Sequence, residues 1–188
     1  MQLSLRLLLV FILLAGFSCA PKPGPAEKAS ELVQAWMEET HAVGVTVSVG
    51  RDGEIIWSQG FGYADLEQDV PVDPGKTLFR VGSVAKSMTA TAVGILYEAG
   101  KLDLDAPVQT YVPGFPQKQG VITPRLLGGH IAGIRHYQGD ENLSNVPYDS
   151  VTASLAIFKD DPLLHAPGSK YHYSSYGFNL LSAVVEGA

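Results

Sequence analysis

Phe79-Arg80-Val81-Gly82-Ser83-Val84-Ala85-Lys86-Ser87-Met88-Thr89-Ala90 leads from an irregular stretch into the strongest helical pattern of the chain. The pattern predicts a helix from about Val84 to Glu98. Ala85, Met88, Ala92, Ile95 and Leu96 recur at three- and four-residue steps and supply an apolar side, and Gly100 is a fitting C-terminal stop. Ser83 and Lys86 stand three apart at the start of this helix, where i and i+3 share a face, so hydroxyl and amine can meet. A serine hydroxyl becomes a nucleophile when a base takes its proton. A lysine can be that base when desolvation or a neighbouring charge lowers its pKa. The free N–H groups and positive dipole end of the helix favour negative charge developing beside Ser83. Spacing alone is equally met by a capping serine followed one turn later by a solvated lysine.

Upstream of this stretch, residues 63–82 read as irregular, broken by Pro71 and Pro74. Before them, Val45, Val47 and Val49 alternate with Thr46 and Ser48, and Ile55-Ile56-Trp57 follows Arg51-Asp52-Gly53, a hairpin signal because Asp and Gly tolerate positive φ. Gly60-Phe61-Gly62 is expected to end the second strand. Gly60-x-Gly62 lacks the third glycine of a dinucleotide loop. A helix is expected over Ala26 to Thr40, with Leu32, Val33, Trp36 and Met37 as its stripe. Downstream, Leu102, Leu104 and Val108 lie in a turn-rich segment, and Thr123-Pro124 starts a short helix carrying Leu126 and Leu127 that breaks at Gly128-Gly129. A helix is expected over Ser150 to Phe158, a turn at Pro167-Gly168, and a last helix from near Ser175 carrying Phe178, Leu181, Val184 and Val185. Tyr173-Ser174-Ser175 precedes it. Tyr173 is either a core aromatic, like many tyrosines, or a phenol that relays protons beside an ammonium. A two-stranded hairpin is marginal alone and no later strand pair is visible, so the sheet is expected to be incomplete. The chain stops at Gly187-Ala188 inside a helix that still shows its stripe, the pattern of a fragment.

The 188 residues carry a net charge of −6, which argues against a nucleic-acid partner. The hydrophobic fraction of 46% makes a packed core feasible. Arg6 precedes the apolar run Leu7 to Leu14, which continues through Ala15, Gly16 and Phe17 to the small residues Ser18 and Ala20. That is the layout of a secretory signal over residues 1–19, too short for the roughly 20 residues of a membrane span. Export is expected, to a bacterial periplasm or as a membrane-anchored lipoprotein. The single cysteine, Cys19, ends the apolar run. It is either a lipid-attachment site, giving a membrane tether through the Pro-rich linker 20–28, or a residue lost with the signal. Gly16-Phe17-Ser18 departs from the Leu-Ala-Gly usual before a lipidated cysteine. With no other cysteine, the mature domain has no internal disulfide. The five histidines, His41, His130, His136, His165 and His172, have neither cysteine partners nor His-Glu-x-x-His spacing, so no metal and no cofactor are expected. Gly-x-Ser-x-Gly is absent too, which removes the alpha/beta-hydrolase elbow.

The stretch Phe79 to Ala90 resembles the nucleophile segment of class C beta-lactamases, D-Ala-D-Ala carboxypeptidases and related esterases. Tyr173-Ser174-Ser175 with Tyr176-Gly177-Phe178-Asn179-Leu180-Leu181 behind it resembles the Tyr-x-Asn segment of that beta-lactamase/penicillin-binding family. Gly60 to Asp65, Gly100 to Asp105 and Pro107-Val108 resemble its intervening segments. Gly133-Ile134-Arg135-His136-Tyr137 and Phe158 to Leu163 are similar to its serine beta-lactamase-like branch. The resemblance implies an α+β fold of the beta-lactamase/transpeptidase type, an α/β sandwich plus helical subdomain, of which residues 29–188 form the N-terminal portion without the C-terminal strands. It implies a serine hydrolase working through an acyl-enzyme on a small-molecule or peptide substrate with an ester, amide or lactam carbonyl. Ser83 would be the nucleophile, Lys86 its base and Tyr173 the proton-transfer partner. The Ser83 N–H would form half of the oxyanion hole. Ser175, at the substrate-binding position, stands where many relatives have Asn. Gly129-His130-Ile131-Ala132-Gly133 departs from their Ser-His-x-Ser-Gly, and His130 is expected to be structural. Their later Lys/His-x-Gly strand, which supplies a second oxyanion donor worth about 10²–10³ in rate, does not occur in these residues. An exported binding or scaffold protein that kept the fold and lost the chemistry, or a truncated piece of such an enzyme, are the other readings.

Overall fold

The computed structural model describes residues 22–188; the expected signal 1–19 and Cys19 lie outside them. The chain forms two compact units, divided between Phe79 and Arg80.

The first unit opens with helix α1, Pro25–Thr40. Pro25 takes the first helical position, where its missing N–H costs nothing, and the Glu27 carboxylate accepts the Gly24 N–H at 2.8 Å. Residues 25–28 are therefore helical, which shortens the expected linker 20–28. The helix ends at His41 in the left-handed region, φ 54°. Strands β1, Gly44–Arg51, and β2, Glu54–Asp65, pair antiparallel. Asp52 (φ 53°) and Gly53 (φ 83°) make the turn between them, the double positive φ that the Asp-Gly pair signalled. Strand β2 continues past Gly60-Phe61-Gly62, and a two-residue strand β3, Val70–Pro71, adds to it in the order β1-β2-β3. The stretch 63–82 was expected to be irregular; Pro71 is tolerated in β3 because that strand lies at a sheet edge. Gly60 allows the approach, since a Cβ there would run into the Val72 carbonyl. Ser30 Oγ donates to Gln59 Oε1 at 2.9 Å and ties α1 to β2. Among the described residues of this unit, Phe61 and Val72 are the buried apolar side chains, and Leu32, Ile55 and Ile56 are exposed.

The second unit carries the main core. A 3₁₀ turn, Gly82–Val84, leads into helix α2, Ala85–Glu98. Helix α3, Pro124–Gly128, is capped by Thr123, whose Oγ1 accepts the Leu126 N–H at 3.3 Å. The helix expected over Ser150 to Phe158 is a short α4, Val151–Ser154, followed by a 3₁₀ turn, Leu155–Ile157. Helix α5, Ser175–Gly187, runs through the core: Leu180, Ala183 and Val184 have no exposed surface. Leu127, Val108, Phe115, Ile122 and Phe158 join it, with its own Tyr176, in one apolar cluster. Burying side chains of this size stabilises by about 1.5–3 kcal/mol each relative to exposure. The apolar side read on α2 is differently placed. Val93 is buried, with Thr89 and Leu96 partly covered, whereas Met88 and Ile95 are 67% and 62% exposed. The helix is apolar on two faces, so periodicity could not rank them.

Candidate active site

Ser83 sits in the 3₁₀ turn that opens α2, and Lys86 is one turn further on. Tyr173 comes from the extended segment before α5, ninety residues away in sequence. That segment is placed by the start of α5, where Ser174 is the N-cap and its Oγ accepts the Gly177 N–H at 2.8 Å. The same Oγ donates to the Arg135 carbonyl at 2.6 Å.

The three expected catalytic residues meet. Ser83 Oγ and Tyr173 Oη are 2.7 Å apart, so one hydroxyl donates to the other. Lys86 Nζ donates to Ser83 Oγ at 3.2 Å and to Ser175 Oγ at 3.1 Å. It also lies 5.0 Å from the centre of the Tyr173 ring and 5.6 Å from that of Phe178, a distance at which a ring face attracts a cation. Hydrogen bonding to Lys86 holds the Tyr173 phenol below its ordinary value of 10.0, with the Ser83 hydrogen bond adding to the effect. A phenol with a depressed pKa, in contact with a serine hydroxyl and a lysine, can take a proton from one and be held by the other. Ser175 stands where the resemblance expects an Asn, and its hydroxyl accepts from Lys86. A cleft of about 570 Å³ opens on the group, with Arg80, Tyr137, Asn142 and Asn179 on its walls beside Ser83 and Lys86.

His130 and His136 flank the phenol. His130 packs at a tilt against the Tyr173 ring with centroids 4.5 Å apart at 33°, and His136 meets it edge-on at 5.4 Å and 83°. The Ser174 N–H donates to His130 Nδ1 and the Ser175 N–H to His136 Nδ1, both at 3.1 Å. His130 makes no hydrogen bond to Ser83 or Lys86 and contributes packing and a backbone acceptor.

Sequence reasoning missed the support beneath these groups. Arg135 is 8% exposed. It donates to both carboxylate oxygens of Glu141, at 2.7 and 3.0 Å, to Asp161 Oδ2, and to the His136 and Ile157 carbonyls, and its guanidinium lies 4.9 Å from the centre of the Tyr176 ring. This pairing brings Glu141 down to about 2. Burial, reinforced by Glu141, pushes the Tyr176 phenol up to about 12. A serine directly before an apolar helix could have been read as its N-cap, which would have singled out Ser174. Nothing local in sequence joins Arg135 to residues six and twenty-six positions on.

A family model described as Beta-lactamase matches residues 29–188. The chain is 34% identical over 231 aligned residues to the human serine beta-lactamase-like protein LACTB, mitochondrial; the match covers 86% of this chain and 42% of that protein. Among solved structures, "EstCE1, a hydrolase with promiscuous acyltransferase activity" superposes with a TM-score of 0.71 at 29% identity, covering 86% of this chain and 46% of the other. A class C beta-lactamase in complex with cefoxitin superposes with a TM-score of 0.64 at 26% identity, covering 83% and 42%. The chain thus spans less than half the length of each of these three proteins, and its helices and small sheet are part of a beta-lactamase/transpeptidase-like fold.

Proposed function

The chain belongs to the beta-lactamase family of serine hydrolases, and from that membership we propose that Ser83 forms an acyl-enzyme with an ester, amide or lactam substrate. One observation carries the reading: Ser83, Lys86 and Tyr173 share hydrogen bonds at 2.7 and 3.2 Å, and Ser83 and Lys86 line a cleft that reaches the surface. In the proposed step Ser83 Oγ attacks the carbonyl carbon and its proton passes to Tyr173 Oη, the nearer of its two partners. Tyr173 accepts it as a phenolate that the Lys86 ammonium stabilises, and becomes the neutral phenol. The tetrahedral oxyanion is held by the Ser83 N–H at the helix start. Its collapse breaks the bond to the leaving oxygen or nitrogen, which receives the proton from Tyr173. Water, deprotonated by the same phenolate, then attacks the ester and restores Ser83. Ser175 keeps Lys86 in register by accepting its second hydrogen bond. The promiscuous acyltransferase activity of EstCE1 supports an acyl group as the transferred unit. Export through the leader 1–19, with or without a lipid on Cys19, is part of this proposal.

The test is reaction of the full chain with a fluorophosphonate and with a labelled penicillin, followed by mass spectrometry. An adduct on Ser83 that disappears in Ser83→Ala is expected. The same spectrum reads the N-terminus of the protein recovered from cells, where a start at Cys19 bearing a lipid marks the tethered form. A folded chain that gives no adduct with either reagent overturns the enzymatic reading and leaves that of a binding protein on the same fold.

A further inference from the structure

We infer that His130 and His136 are positioning residues, two neutral imidazoles that hold Tyr173 in place by accepting the N–H groups of Ser174 and Ser175 and release it on protonation. The inference rests on the proposed role of Tyr173 and adds a control on it. Ser174 has extended backbone, φ −139° and ψ 120°, and in extended chain successive N–H groups point to opposite sides. No single group can satisfy both. Here each has its own ring nitrogen, His130 Nδ1 and His136 Nδ1, both at 3.1 Å. Each neutral ring therefore carries its proton on Nε2.

The rings also fix the phenol directly, one packed at a tilt against it and one edge-on. They are themselves held. His130 packs on Phe178 at 5.1 Å and Tyr171 at 5.9 Å, its carbonyl accepts the His172 N–H at 2.8 Å, and its backbone stays at φ 57°. His136 packs on Tyr137 at 4.6 Å. A non-glycine residue in the left-handed region costs of order 1–3 kcal/mol and persists when its surroundings over-determine it.

Protonation would turn both Nδ1 acceptors into donors facing donors. It would also place a second cation beside Lys86. The charged and titratable groups around the rings are Lys86 from α2, His172, Tyr171 and Tyr173 from the segment before α5, and Tyr137 on the His136 loop, and the Lys86 ammonium acts on both rings. Both imidazoles accordingly lie below the ordinary 6.5, first because burial disfavours the cation and then through Lys86. The sign follows: the neutral clamp is complete above pH 6.5 and is lost as pH falls through the lowered native values.

Two measurements on the full chain test this. The first is long-range proton–nitrogen NMR of the histidine rings, which reads the tautomer and the titration without any need for activity. The second is the rate of Ser83 acylation by a fluorophosphonate as a function of pH, in the native chain and in His136→Asn and His136→Phe. The Asn oxygen can accept where Nδ1 did and does not titrate; Phe keeps the packing on Tyr173 and Tyr137 without an acceptor. We expect Nε2–H tautomers at both rings and an acid limb below pH 6.5. We expect His136→Phe to lose about 10²-fold in acylation rate, the scale of a 1 Å misplacement. His136→Asn should recover at least tenfold of that loss (an order-of-magnitude expectation on the same basis) and leave only the shallower limb of His130. An Nδ1–H tautomer at either ring, a Phe variant as fast as the native chain, or an Asn variant with an unchanged limb each overturns the inference. Should native Ser83 resist labelling at every pH, the proposed function fails, and the tautomers alone decide for or against the clamp.

Discussion

Lys86 holds two hydroxyls at once, Ser83 Oγ at 3.2 Å and Ser175 Oγ at 3.1 Å, and stands over the ring that shares the first of them. Its charge thereby acts on Tyr173 as well as on Ser83, and the depression of the phenol comes chiefly from this one side chain. Lys86→Met keeps a stem of similar length against Tyr173 and Phe178 and removes the ammonium. The Tyr173 phenol should then climb back towards 10.0. A base that works as phenolate gains rate with pH until its pKa is passed, so the rising limb of Ser83 acylation should move to higher pH in the variant. At neutral pH the rate should drop by about 10²–10⁴, the usual worth of a positioned proton acceptor. Stopped-flow acylation across pH reads both effects. A slower variant whose limb stays where it was would show that Lys86 supports the site without tuning the phenol.

Between residues and fold stand the elements, and here the site depends on the loop 135–143. Arg135 ties it down through Glu141 and Asp161, and Gln138 donates its backbone N–H to Glu141 at 2.8 Å. The same loop carries His136 and the cleft residues Tyr137 and Asn142. Glu141→Gln takes half the anionic partnership from an arginine whose side chain is 9% exposed and should cost about 1–3 kcal/mol in urea unfolding at neutral pH. The carboxylate's folded value, about 2, is below its ordinary 4.5, so its contribution is complete above 4.5 and fades as pH falls towards 2. The native and variant unfolding curves should converge over that range; a gap that persists at low pH would place the cost elsewhere than in the ion pair. This element also marks what sequence could show. The Asp52-Gly53 turn, the Thr123 cap and the starts of α1, α2 and α5 were legible because each is set by residues within a turn of one another. Ser83 with Lys86 was legible for the same reason, and Tyr173 only through its likeness to known segments. The Arg135 hub and the two imidazole acceptors unite residues from 6 to 44 positions apart with no periodicity to announce them. Strand β3 escaped notice because two residues beside a proline carry no alternation.

On the scale of the whole molecule, the candidate site lies in the unit Arg80–Ala188, and so does most of the buried apolar surface. Helix α5 links the two facts. Its first residue, Ser175, touches Lys86, its N-cap Ser174 anchors the tyrosine segment, and further along its buried face Leu180, Ala183 and Val184 fix it in the core. Its last turn is fastened by Glu186, whose carboxylate accepts from the Thr152 N–H at 3.0 Å. Position in the site is thus set by packing some distance from it. Leu180→Ala removes a side chain with no exposed surface and should cost about 2–5 kcal/mol, read as a shift of the far-UV circular dichroism transition in urea. Met88→Ala is the control on α2. Met88 looked like a core position by periodicity, yet it is 67% exposed, and its loss should stay within about 0.5 kcal/mol. Because α5 carries the tyrosine segment on its N-cap, Leu180→Ala should also slow Ser83 acylation well below its unfolding midpoint, where Met88→Ala leaves the fold of the core intact. Equal destabilisation by the two variants would mean that the outward face of α2 is buried in solution, and would move the boundary of the core to the far side of the nucleophile helix.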